Sequence, residues 1–147
     1  MSTAKTLLFS FLGVVFWFIA AMIIHYAGAR AFSAGNPILP LVFALAIPLT
    51  LLSLYLTTLV GGVHFRQLLE PVVIMTFTAA MLDGVALAWF RPLYNPSFDV
   101  ALHGAAWILW GAGLGLLFAY ILHRTQMPVM PTKSAVLEKH KHTGPCN

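Results

Sequence analysis

The stretch TLLFSFLGVVFWFIAAMIIHYAG, residues 6–28, bears no formal charge, and its reading decides the fold. A helix needs about 20 predominantly apolar residues to cross the hydrocarbon core of a bilayer, and this run meets that length without taking an ion into lipid. A cleaved secretory leader is the rival reading, since Lys5 precedes the run and Ala27-Gly28-Ala29 has the small residues of a cleavage site. The apolar core of such a leader is only about 7–15 residues long, so an uncleaved first span over 6–28 is expected.

Outward from that run the same signal recurs three times. Asn36-Pro37 and Pro40 mark a turn and a helix start, and residues 41–63 are again free of charge. Pro48, inside them, is expected to kink the helix, which membrane helices tolerate when neighbours satisfy the freed carbonyl. The polar link His64-Phe65-Arg66-Gln67 leads to Glu70-Pro71, where proline suits a first helical turn and a carboxylate suits the positive end of the helix dipole. A third span covers 71–90 and stops at Arg91-Pro92. Asn95-Pro96-Ser97 forms the next turn, Ser97 or Asp99 can cap, and a fourth span covers 100–122. The expected fold is an all-α membrane protein, with four transmembrane helices in an antiparallel bundle over residues 1–123 and a polar tail over 124–147.

Composition agrees. Of 147 residues 60% are hydrophobic and 8% charged, against roughly 25% charged in a soluble domain. Eight Lys and Arg with four Asp and Glu cannot furnish a water-facing surface, which excludes a soluble enzyme and makes lipid the solvent. The net charge of +4 does not point to nucleic acid, because the basic residues sit at span ends or beyond them. With four spans, Lys5, Arg66, Arg124, Lys133, Lys139 and Lys141 share one side, and only Arg30 and Arg91 lie on the other. The positive-inside rule then puts both termini in the cytoplasm of the inner (plasma) membrane. Tyr26, Trp89, Tyr94 and Trp107 are expected at the outer boundary and Tyr120 at the inner one. Cys146 is the single cysteine, so no intramolecular disulfide is possible, and with His140 and His142 it makes a poor metal site.

Small residues recur at spacings of four: Ala80, Gly84 and Ala88 in the third span, Gly111, Gly115 and Ala119 in the fourth. Such stripes let helix backbones approach closely where lipid offers no hydrophobic drive. Either the two spans pack on each other through them, or one is a docking face for another subunit or a second copy.

Asp83 is the one acid without a topological role. It lies seven residues before Phe90, hence about 10 Å below the span's outer end, where a carboxylate must be protonated or paired. His25 near the end of span one and His103 in the first turn of span four lie at similar depth, with Arg30 and Arg91 above them. Helix dipoles favour the charged imidazole at His25 and disfavour it at His103, so an Asp83 to His25 ion pair is expected. That pair can tie helices together or handle protons, and His25 or His103 can alternatively ligate haem or a chlorophyll-type pigment through neutral imidazole. No nucleophile–base arrangement is present, and Ser10, Ser53 and Thr57 read as ordinary helix hydroxyls.

The stretch Met81-Leu82-Asp83-Gly84-Val85-Ala86-Leu87, continued by Phe90, Pro92, Leu93 and Tyr94 and later by Ala105-Ala106-Trp107-Ile108-Leu109-Trp110-Gly111, resembles a bacterial family of small four-helix membrane proteins of unknown function. That family's pattern is an MLD-x-x-AL core ending in F-P, followed by a Trp-containing fourth span. Here Arg91 intervenes between Phe90 and Pro92, and the tail is longer. The resemblance covers mainly residues 75–120 and implies topology without activity. The expected role is therefore a non-catalytic structural or accessory subunit embedded in the bilayer among other membrane subunits or its own copies. A small proton-coupled transporter using Asp83 and a haem- or pigment-binding subunit of a respiratory or photosynthetic complex are the alternatives.

Overall fold

A computed structural model describes residues 2–125. Its helices are α1 (Thr3–Ala27), α2 (Ala29–Phe32), α3 (Leu39–Gly61), α4 (Leu69–Trp89) and α5 (Phe98–Thr125), with single 3-10 turns at Phe65–Gln67 and Arg91–Leu93. Four of the five helices, all but α2, are long and apolar enough to cross a membrane. They start two or three residues earlier than the charge-free runs: α1, α4 and α5 take Lys5, Glu70 and Asp99 into their first turns, where a charge can stay at the boundary, and α3 takes in Pro40, which suits a first turn. The polar tail expected after residue 123 lies, from 126 on, outside the described residues.

The surface is that of a protein dissolved in hydrocarbon. Leu109 is 75% exposed and Trp89 74%, and large apolar side chains project from all four long helices. Helices apolar on all sides belong in a core or in lipid, and exposed patches of this extent are foreign to water-soluble monomers.

Local sequence punctuates the chain as expected. Pro40 occupies the first turn of α3. Asn36 builds the turn before it, its side-chain amide donating to Arg30 O at 2.7 Å and its Oδ1 accepting from Ile38 N at 3.0 Å. Gly28, at φ +50°, ends α1 and lets the chain break into α2, a short helix with no separate sequence signal. Pro48 lies within α3.

α1 packs most closely on α4, α4 packs on α5, α5 packs on α3, and the α1–α3 seam is looser than these three contacts. Two separate cores result. The loop end, where α2 and the Arg91–Leu93 turn lie, is filled by Ile24, Phe32, Tyr94, Val100 and Trp107. The terminal end, holding the start of α1 and the α3–α4 link, is filled by Phe9, Leu54, Leu68, Val72 and Met75.

The two small-residue stripes do not meet, contrary to the simpler expectation. Ala80, Gly84 and Ala88 are exposed, and a Cβ on Gly84 would touch nothing within 4 Å. On α5, Gly111 and Gly115 instead face Thr50 of α3, Gly115 also reaches Val72 of α4, and Ala119 is fully buried. The tightest backbone approach is at Gly13, where a Cβ would fall 2.7 Å from Met75 O. That contact sets the α1–α4 separation. Gly13→Ala is therefore expected to force the two helices apart at a cost of about 1–3 kcal/mol, while Gly84→Ala is neutral. Unfolding of both variants in mixed micelles, followed by circular dichroism, measures the difference; equal stability of the two would contradict this packing.

Candidate functional site

Asp83 is met by neither histidine. Trp17, projecting from α1, donates its indole N–H to Asp83 Oδ1 at 2.8 Å and shares it with the Tyr94 hydroxyl at 2.9 Å. Tyr94 in turn donates its O–H to the same Asp83 oxygen. One carboxylate oxygen thus ties α1, α4 and the α4–α5 connection. Tyr94 is fully buried; burial, with the hydrogen bond to Asp83 and its charge, raises the phenol above its usual range, so it stays a donor. The Arg91–Leu93 turn brings it there, folding the chain back over the end of α4 so that Tyr94 points into the bundle.

The rest of the expected polar cluster disperses. His25, on an exposed position, places Nδ1 3.1 Å from Leu93 O, and its ring meets Tyr26 edge-on at 5.4 Å. His103 places Nδ1 2.8 Å from Asp99 O and 3.3 Å from Asp99 Oδ1. Arg91 lies over the Phe98 ring at 5.4 Å, and Arg30 is exposed, its backbone carbonyl held by Asn36. The expected Asp83 to His25 pair is thus replaced by an Asp83 to Trp17 and Tyr94 triad. Asp99, a candidate cap, accepts instead from Ala34 N at 2.8 Å and fastens the α2–α3 connection to α5.

The aromatic belt divides for the same reason. Tyr26 is 82% exposed and suits a membrane boundary, as does Trp89. Tyr94 and Trp107 are buried, and Trp107 donates to Val42 O at 2.9 Å, joining α5 to α3. Sequence reasoning passed over Trp17 and assigned Tyr94 to the belt. The available signal was chemical: a buried indole or phenol seeks an acceptor, and Asp83 is the one acid within the third span's interior.

Between the two cores lies a cavity of about 350 Å³ bordered by all four long helices. Its wall includes Phe16, Trp17, Thr50, Met75, Trp107 and Gly111. Trp17 therefore belongs to both features: the triad holds its indole N–H, and its ring forms part of the cavity wall. Asp83 itself does not line the cavity. No group of three or more metal-ligating side chains occurs among the described residues. With this geometry established, comparison with protein-family models, curated proteins and solved structures finds no match to the chain.

The triad predicts a graded mutational response. Asp83→Asn keeps an acceptor oxygen for both donors, whereas Asp83→Ala leaves the Tyr94 phenol without an acceptor and the Trp17 indole with only the Tyr94 hydroxyl, at about 1–3 kcal/mol for the unmet buried donor. Unfolding in detergent should rank wild type, Asp83→Asn and Asp83→Ala in falling stability, with the Asn variant nearer wild type. If Asn were as damaging as Ala, the acceptor account of Asp83 would be wrong.

Proposed function

We propose that the chain is a small, non-catalytic accessory subunit of a larger assembly in the inner (plasma) membrane, with both termini in the cytoplasm. The observation that carries this reading is the outer face of α4. Ala80, Gly84 and Ala88 form a shallow groove there, flanked by Phe77, Met81 and Val85, each at least half exposed. Close helix approach through small residues is how membrane helices associate, and the internal close approaches use other glycines, Gly13, Gly61 and Gly104. The α4 groove is thus surplus to the chain's own packing.

Orientation rests on Lys5, Arg66 and Arg124, which share the terminal end, where His123 Nδ1 lies 3.0 Å from Arg66 O. Proton-coupled transport through Asp83 draws less support, because the carboxylate is engaged by Trp17 and Tyr94 and stands apart from the cavity. Cofactor ligation is the second reading. Nδ1 of His25 and of His103 each faces a backbone carbonyl, and donation from there leaves Nε2 as the ligating nitrogen. A visible spectrum of the purified protein without a Soret or chlorophyll band removes it.

Gentle extraction followed by native mass spectrometry should find the chain in a complex. Gly84→Leu should release it as a folded monomer, since position 84 is exposed and a Cβ there meets nothing within 4 Å. A solitary wild-type monomer overturns the subunit reading.

A further inference from the structure

We propose that the cavity between the four spans is a binding site for a neutral, hydrocarbon-soluble molecule bearing a carbonyl group, admitted sideways from the bilayer between α1 and α3. This site is separate from the α4 groove and does not depend on the subunit reading.

The position of the mouth follows from exposure. Ile19 and Ile23 of α1 with Leu49 and Leu52 of α3 line the cavity and are exposed, at 39–53%. The lining residues of α4 and α5 are all buried or half-buried. Towards the terminal end the seam is closed by Phe9 against Gly61, where a Cβ would fall 2.5 Å from the ring. At the loop end α2, which continues α1, packs on α3 and α5, and its Phe32 ring meets the Trp107 ring edge-on at 5.6 Å. The opening is therefore a mid-span window facing lipid.

No Asp, Glu, Lys, Arg or His lines the cavity, so an ion would enter without compensation and the ligand must be neutral. Four hydroxyl-bearing residues line it: Thr50, Ser53, Thr57 and Thr76. Two have already spent their protons within α3, Ser53 on Thr50 O and Thr57 on Ser53 O, each at 2.7 Å. Thr50 and Thr76 have no side-chain partner among the described residues. Thr50 is only 8% exposed. Because no fully occluded, unpartnered polar atom exists among the described residues, the Thr50 hydroxyl must open onto the cavity. It is a buried donor awaiting an acceptor.

Depth selects the occupant. Thr50 lies eleven residues from both Leu39 and Gly61, about 16 Å from either end of α3. A hydrocarbon core about 30 Å thick puts it near the midplane, beyond reach of the ester groups of a phospholipid whose head stays in water. The ligand must bring its own uncharged acceptor to that depth. Phe16, Trp17 and Trp107 give the chamber aromatic walls, and the Asp83–Tyr94 pair fixes the Trp17 ring before any ligand arrives. A volume of about 350 Å³ is within the range of small-molecule sites.

The test uses the full chain carrying Trp89→Phe and Trp110→Phe, which leaves Trp17 and Trp107 as its tryptophans, both on the cavity wall. In phosphatidylcholine nanodiscs, 2-decyl-1,4-benzoquinone should quench their fluorescence along a saturable curve. Thr50→Val, which exchanges the hydroxyl for a methyl of the same shape, should weaken binding about fivefold to tenfold. Ala112→Phe should fill the chamber and remove the saturable component; if that variant does not fold, as judged by circular dichroism, Thr50→Val decides alone. Quenching that never saturates, or an isotherm unchanged by Thr50→Val, overturns the proposal. So does strong quenching by phosphatidylcholine with brominated chains that methyl decanoate, a neutral carbonyl compound that does not itself quench, fails to relieve, since the occupant would then be a lipid chain.

Discussion

One oxygen of Asp83, accepting from Trp17 and Tyr94, is the contact on which the arrangement of this bundle turns. In lipid there is no water to satisfy a carboxylate, an indole N–H or a phenol, so each must find a partner within the protein. Meeting all three at one point fixes the rotation of α4 against α1 and pins the α4–α5 connection over them. At 3.6 residues per turn the Ala80–Gly84–Ala88 stripe lies about 100° round α4 from Asp83. Turning Asp83 and Met75 toward α1 therefore leaves that stripe outside, facing lipid.

Apolar packing is distributed around this tie. Gly13 lets α1 lie directly against the Met75 backbone, and Gly61 and Gly104 receive Phe9 and Ile24 in the same way. These contacts close the two ends of the bundle, where Phe9 and Tyr94 are fully buried. Between the ends the α1–α3 seam is looser, and the space left there becomes a chamber walled by Trp17, Thr50 and Trp107. The polar tie and the chamber are one construction, because the Trp17 ring is shared by both.

Much of the fold was legible in the sequence, since the features that reveal it are local. A charge-free run such as 6–28 must be a span wherever its neighbours lie, and Asn36 and Pro40 turn the chain and start a helix by their own chemistry. The site was legible only in part. Asp83 stood out because an acid inside a span needs a partner, but helix depth offered several candidates of similar height and no means of choosing. His25 satisfied the dipole argument and still turned to the carbonyl of Leu93, while Tyr94, placed in the boundary belt by its position after a span, folded back inside.

The sequence by itself determined the solvent, the number of spans, their approximate ends and the presence of one anomalous acid, because hydropathy, charge and turn residues act over a few neighbours. Tertiary structure decided which face of each helix is inside. That choice depends on rotation about the helix axis, and in helices apolar on every side no sequence stripe announces it. Only when α1, α4 and the returning turn come together does Trp17 meet Asp83, the α4 stripe turn outward, and the Thr50 hydroxyl open onto a chamber at the middle of the bilayer.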